Sequence, residues 1–195
     1  MIALVIDHRD SFVFNLVEDL RRLGCESVVL RSGMSISHLH RMVRTLAPHL
    51  VILSPGPGRP ENAGVMVPFL VSDPSVPVLG ICLGMQAMVT ALGGVVGRAP
   101  RPVHGEAHRV RHNAGPWFEG LPQPFRAARY HSLVTRELPP ELEPIAWSVE
   151  EERPLVMAVR HRTRPWVGLQ FHPESVLTPT GPALLENLLA EMARS

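Results

Sequence analysis

The sequence predicts an α/β fold: an open, mostly parallel sheet flanked by helices, with additional antiparallel strands in the second half. Three observations carry this. From Ile2 to Leu92, short apolar, β-branched runs alternate with segments of helical apolar spacing. Within that half, Gly80-Ile81-Cys82-Leu83-Gly84 joins a buried strand directly to a helix. Beyond Leu92 the helices stop, and strands separated by turns follow, several alternating in the manner of half-exposed antiparallel strands, until one closing helix.

In chain order, Ile2–Asp7 is an apolar strand ending in an acid. Asp10-Ser11 offers an N-cap for a helix over 12–23, stopped by Gly24. A strand at 28–30 leads to the helix Ile36–Leu46, ended by Pro48, and then to the strand Leu50–Leu53. Ser54-Pro55-Gly56-Pro57-Gly58-Arg59-Pro60 is too rich in Gly and Pro to be anything but a rigid loop. A helix over 63–71, a strand over 76–81 and a helix over 84–92 complete the alternation. In a parallel sheet the ligand crevice lies at the carboxyl ends of the strands, so Asp7, the Pro–Gly loop and Cys82 should share one edge. Further strands are expected at 93–98, 107–112, Phe125–Arg129, 145–149, Val156–His161 and 166–171. A helix over 182–192, capped by Thr180, carries Leu184, Leu185, Leu188 and Leu189 on one side.

Composition narrows the function classes. At 195 residues, 1–195 reads as a single domain long enough to bury a core. Formal net charge is +1, which points to no nucleic-acid partner. All 19 basic residues are Arg, which excludes Schiff-base lysines and a Walker-type phosphate lysine. Two distant cysteines make neither a disulfide framework nor a CxxC metal pair. The first residues enter a strand at once, so no leader is expected, and no apolar run approaches a membrane span. The expected compartment is the cytoplasm, with thiols reduced.

The chemistry centres on Cys82. Glycines on both sides let strand turn sharply into helix, leaving the apex residue exposed and aimed at the helix N-terminus, whose partial positive charge makes a thiol thiolate-prone. A cysteine nucleophile needs a base, and the base needs an orienting group. Gln170-Phe171-His172-Pro173-Glu174-Ser175 supplies both. Pro173 favours an extended His172, and residues i and i+2 of an extended chain point to one side, so Glu174 can lie beside the imidazole. Oxyanion donors are expected from the Leu83 N–H and from the 55–58 loop, where Gly allows close backbone approach. His104, His108 and His112 are spaced by four, but Pro102, Gly105 and the Arg-Val-Arg alternation argue against the helix a metal site would need, so no metal is assigned. His131 is either structural or lines the site.

These motifs together resemble the class I glutamine amidotransferases across nearly the whole chain. Ser54-Pro-Gly-Pro-Gly58, Gly80-Ile-Cys-Leu-Gly84 with Gln86, and Phe171-His-Pro-Glu-Ser175 match the family's three signature blocks in order. Asp10-Ser11-Phe12, Pro102-Val103-His104-Gly105 and Arg129-Tyr130-His131-Ser132-Leu133 resemble, more narrowly, the small subunits of anthranilate synthase and of aminodeoxychorismate synthase. The resemblance implies a flavodoxin-like sheet and a Cys82, His172, Glu174 triad. It implies oxyanion contacts from Gly58 and Leu83, and glutamine held by Gln86, Ser132 and Leu133. It implies no cofactor. The implied partner is a larger chorismate-binding synthase subunit that receives ammonia, since one domain leaves no room for the amination. Met85 stands where the subfamily usually has His, and Glu106 where it usually has Lys, reversing a charge on a segment expected near that partner. Two other classes would use the same residues: a stand-alone thiol hydrolase of γ-glutamyl compounds, and a catalytically silent regulatory subunit.

Overall fold

The computed structural model describes residues 1–194. Among them, one nine-stranded sheet runs through the molecule, with a separate two-stranded sheet beside it. The first half delivers the expected alternation: β1 (Ile2–Asp7), α1 (Val13–Arg22), β2 (Glu26–Arg31), α2 (Ile36–Leu46), β3 (Leu50–Leu53), α3 (Met66–Val71), β4 (Val78–Ile81) and α4 (Leu83–Ala91). The second half adds β5 (Val95–Arg98), β6 (Glu106–His112), β7 (Phe125–Arg129), β8 (Leu133–Glu137), β9 (Leu142–Ser148), β10 (Val156–His161), β11 (Trp166–Leu169) and α5 (Gly181–Met192). The large sheet has the order β2-β1-β3-β4-β11-β10-β9-β6-β7. Its first five strands are parallel, and β10, β9, β6 and β7 continue it antiparallel.

Strand alternation sorts the core onto two faces. Ala3 and Val5 of β1 join one cluster with Leu16 and Leu20 of α1 and the four leucines of α5. Leu4 and Ile6 join the other, with Leu39 of α2, Phe69 of α3 and most of α4. Helices therefore cover both faces, as a buried parallel sheet requires. Helix α4 is buried from Leu83 to Val89, so it reads as apolar all round rather than amphipathic.

Several expectations need correction. The Asp10-Ser11 cap does not form: Phe12 holds the N-cap position of α1 with no side-chain bond. Asp7 Oδ1 instead accepts from the Asp10 N–H at 2.9 Å, and Asp7 Oδ2 pairs with Arg31 Nη1 at 2.5 Å, so the acid ending β1 fixes the loop that follows it. The helix expected over 63–71 begins only at Met66, after a single 3-10 turn at Pro60–Asn62. Gly64 explains the break: its φ is +62°, and a Cβ there would lie 2.2 Å from the Ser32 carbonyl. The strand expected at 93–98 starts at Val95, and β11 ends at Leu169 rather than 171. Strand β9 begins at Leu142, earlier than expected, because Pro144 is accommodated beside a register shift against β10. Strand β8 is not anticipated by the sequence reading; it pairs with β5 outside the main sheet. Thr180 sits at the N-cap of α5, but its hydroxyl makes no cap bond.

Candidate active site

Parallel strands end on the same side, and four of them deliver the site. β1 leads to Asp10 and Phe12, β3 to the Pro–Gly loop, β4 to Cys82 and β11 to His172. The β4–β11 register places Ile81 opposite Leu169. The Cys82 N–H then donates to the Leu169 carbonyl at 2.6 Å. That register closes the long separation in sequence between cysteine and histidine.

Cys82 takes φ +50°, ψ −99°, a strained conformation for a residue with a Cβ. Both flanking glycines are needed to hold it. A Cβ on Gly80 would come 2.6 Å from the Gly84 carbonyl carbon, and one on Gly84 would come 2.2 Å from the Leu53 oxygen. The expectation of an exposed apex is corrected: Cys82 is only 7% exposed, at the border of two cavities.

His172 Nδ1 lies 2.6 Å from Glu174 Oε1, and both side chains are buried. His172 and Glu174 do meet, but an extended chain is not what brings them together. His172 makes a single bridge to Ala128, and the chain then turns, with the Ser175 N–H donating to the His172 carbonyl at 3.3 Å. Pro173 and Glu174 are the central residues of that turn, not part of an extended strand. The Thr178 hydroxyl donates to the His172 carbonyl at 2.7 Å and accepts from the Ala128 N–H at 2.9 Å, locking the turn onto β7. Phe12 and Tyr130 set their rings edge-on to the imidazole, at centroid distances of 6.1 and 5.0 Å. His172 Nε2 is buried and makes no hydrogen bond of ordinary geometry, but the Cys82 sulfur lies within interaction range. Burial works against a charged ring here. The attraction of Cys82 and Glu174 outweighs it and holds the His172 pKa well above its ordinary value.

Cys82 borders both cavities. One, of about 270 Å³, also meets Asp10, Phe12, His104 and His172. The other, of about 140 Å³, is lined by Gly58, Gln86, Ser132 and Leu133, so all the residues expected to hold substrate meet at one place. Gly58 has φ +89°, open to glycine and strained for other residues. Leu83 opens α4, so its N–H has no acceptor within the helix. His131 lines this cavity too, which answers the question left by the sequence.

No role for Gln170 is evident from the sequence. It is wholly buried, and its Nε2 donates to Cys82 Sγ at 3.6 Å while its Oε1 accepts from Gln86 Nε2 at 3.2 Å. Only its place two residues before His172 could have drawn notice. Burial also pushes the Asp10 carboxyl pKa up, beside the triad. Of the three spaced histidines, His108 and His112 lie on strand β6, not a helix. Met85 is buried, its side chain packed beneath Gly168 of β11. Glu106 opens β6, 3.4 Å from Arg101 and 3.2 Å from His108.

Comparison with known proteins identifies the family. Residues 4–192 match the family profile described as glutamine amidotransferase class-I. The chain is 43% identical over 193 residues to anthranilate synthase component II of Haloarcula marismortui, a match covering 96% of this chain and 91% of that protein. It is 47% identical over 191 residues to aminodeoxychorismate synthase of Streptomyces griseus, covering 96% of this chain but 25% of that longer protein. A crystal structure from Thermoplasma acidophilum, of a protein provisionally assigned to GMP synthase, superposes with TM-score 0.85 at 25% identity, over 100% of this chain and 94% of that one. The chain thus belongs to the class I glutamine amidotransferases, with anthranilate synthase component II proteins among its near relatives.

Proposed function

We propose that this protein is the glutaminase subunit of a two-component, chorismate-aminating synthase of the anthranilate synthase component II type. The observation that carries the reading is the position of Cys82, between the buried His172–Glu174 pair and the cavity lined by Gly58, Gln86, Ser132 and Leu133. His172 takes the thiol proton of Cys82, and Cys82 Sγ attacks the side-chain carbonyl carbon of glutamine. The Leu83 and Gly58 N–H groups receive the oxyanion, aided by the N-terminus of α4. His172 gives its proton to the amide nitrogen, the C–N bond breaks, and ammonia leaves a γ-glutamyl thioester on Cys82. His172 then takes a proton from water as the oxygen attacks the thioester; the C–S bond breaks, glutamate departs, and the proton on His172 is again shared with the Cys82 sulfur. His172 Nδ1 keeps its proton throughout and donates it to the Glu174 carboxylate, which fixes the tautomer and supports the charged ring.

The ammonia passes to a larger synthase subunit. Phe14 and Val176 support a docking face here: they are 73% and 91% exposed and lie on segments that flank His172. A second reading, the aminodeoxychorismate synthase of the 4-aminobenzoate branch, is favoured by the 47% identity to the Streptomyces griseus protein. No helix among the described residues is long and apolar enough to cross a membrane, in keeping with a cytoplasmic enzyme. The test is Cys82→Ser in the complex isolated with its synthase subunit. Glutamine-dependent amination of chorismate should be lost while amination from added ammonia survives, and the product identifies the branch. Loss of both, or of neither, contradicts the proposal.

A further inference from the structure

Resting on the glutaminase reading above, we propose that Arg129, His131 and Glu151 are positioning residues. They form a relay, buried at Arg129 and His131 and partly exposed at Glu151, that sets the Leu133 carbonyl and, through it, Gln86 and Gln170 against Cys82.

The relay starts from a wholly buried guanidinium. Arg129 Nη1 donates to Glu151 Oε1 at 2.6 Å, and Arg129 Nε donates to His131 Nε2 at 3.1 Å. A guanidinium has donors and no acceptor. His131 Nε2 must therefore present its lone pair, and the ring proton sits on Nδ1. That Nδ1–H donates to the Leu133 carbonyl at 3.1 Å. Burial first, and the Arg129 charge second, keep His131 neutral, as this tautomer requires.

The orientation propagates inward. Leu133 O accepts a second bond from Gln86 Nε2 at 3.1 Å, and the same Nε2 faces Gln170 Oε1 at 3.2 Å. With two acceptors before it, that atom of Gln86 must be the nitrogen. Gln170 Oε1 is fixed in turn, leaving Gln170 Nε2 to reach Cys82 Sγ at 3.6 Å. Each link has one permitted direction: the arginine sets it for His131, and the Leu133 carbonyl, which can only accept, sets it for Gln86 and Gln170. At its outer end the relay is tied to β6: Glu150, beside Glu151, accepts from the Arg109 N–H at 2.9 Å and lies 3.5 Å from His108. Bulk packing alone would be served as well by apolar side chains, since buried ion pairs are inefficient stabilisers. What this arrangement adds is a fixed hydrogen-bond polarity in one wall of the 140 Å³ cavity.

The test separates positioning from stability. Arg129→Met with Glu151→Leu removes both charges together, leaving no unpaired ion, and frees His131 to change tautomer. With the full-length chain in complex with its synthase subunit, this double variant should keep a cooperative melt. Its KM for glutamine should rise about tenfold or more, with the smaller effect on kcat. Arg129→Lys keeps the charge but not the two-pronged geometry, and should raise KM as well, which covers the case of a double variant that does not fold. Wild-type KM in either folded variant overturns the relay. A wild-type complex that hydrolyses no glutamine overturns the glutaminase reading instead, so the two failures are distinct.

Discussion

His131→Gln gives a stability change whose size follows from the structure. His131 is 3% exposed, and burial together with the Arg129 charge lowers its pKa from 6.5 to about 3. The native state thus refuses a proton that the unfolded chain takes up below pH 6.5. Stability from this group is complete above that pH and falls as the solution is acidified. At about 1.36 kcal/mol per pH unit, the loss reaches about 2 kcal/mol at pH 5 and tends toward about 5 kcal/mol below pH 3. For a domain of this size, about 2 kcal/mol corresponds to roughly 4–8 °C in Tm. Glutamine at this position keeps one acceptor and one donor but cannot titrate. The assay is thermal melting of both proteins from pH 8 to pH 5. The variant starts lower, because its packing is poorer, and the gap to wild type should close by roughly 4–8 °C at the acid end. Other groups titrate equally in both proteins, so parallel curves would refute the assignment of a neutral, buried His131.

Two further outcomes are expected. Gly84→Ala drives a Cβ to 2.2 Å from the Leu53 oxygen, in backbone that cannot yield cheaply. It should cost about 3 kcal/mol or more and lower Tm by at least about 6 °C, while Gly33→Ala, with nothing within 4 Å of its Cβ, should stay within about 1 °C. Glu174→Gln removes the carboxylate that helps hold the His172 pKa high. Glutamine turnover should fall by about 100-fold or more, and its alkaline limb should move to lower pH. The stability sign is opposite to that of His131. A raised histidine pKa stabilises below pH 6.5 and loses that contribution as pH rises through the raised value. The wild type should therefore lose Tm more steeply than Glu174→Gln on the alkaline side in paired melts.

The parts legible in the sequence are those whose physics is local. The Gly80 to Gly84 turn announces itself because only glycine tolerates the contacts with Gly84 and Leu53. The apolar runs between turn residues place β7 and β10 to the residue. Nonlocal pairing is harder to see. β8 finds its partner in β5, outside the main sheet, and its short alternating run does not stand out. The break before α3 comes from Gly64 meeting Ser32, a contact between separate loops. The cap of α1 misleads because the helix begins only at Val13, so Asp10 and Ser11 lie short of the N-cap position that Phe12 holds. At the site, residue types with evident chemistry stand out in the sequence, whereas Gln170 and the Arg129–Glu151 pair do not. Amides and buried arginines show their role only when their partners, distant in sequence, are in place.

The central claim is tested most directly by mass spectrometry of the intact chain, in complex with its synthase partner and quenched in acid during glutamine turnover. A transient increase of one γ-glutamyl group is expected, mapped to the peptide that carries Cys82 and absent in Cys82→Ala. Turnover of glutamine with no adduct on Cys82, or with undiminished rate in Cys82→Ala, would contradict it.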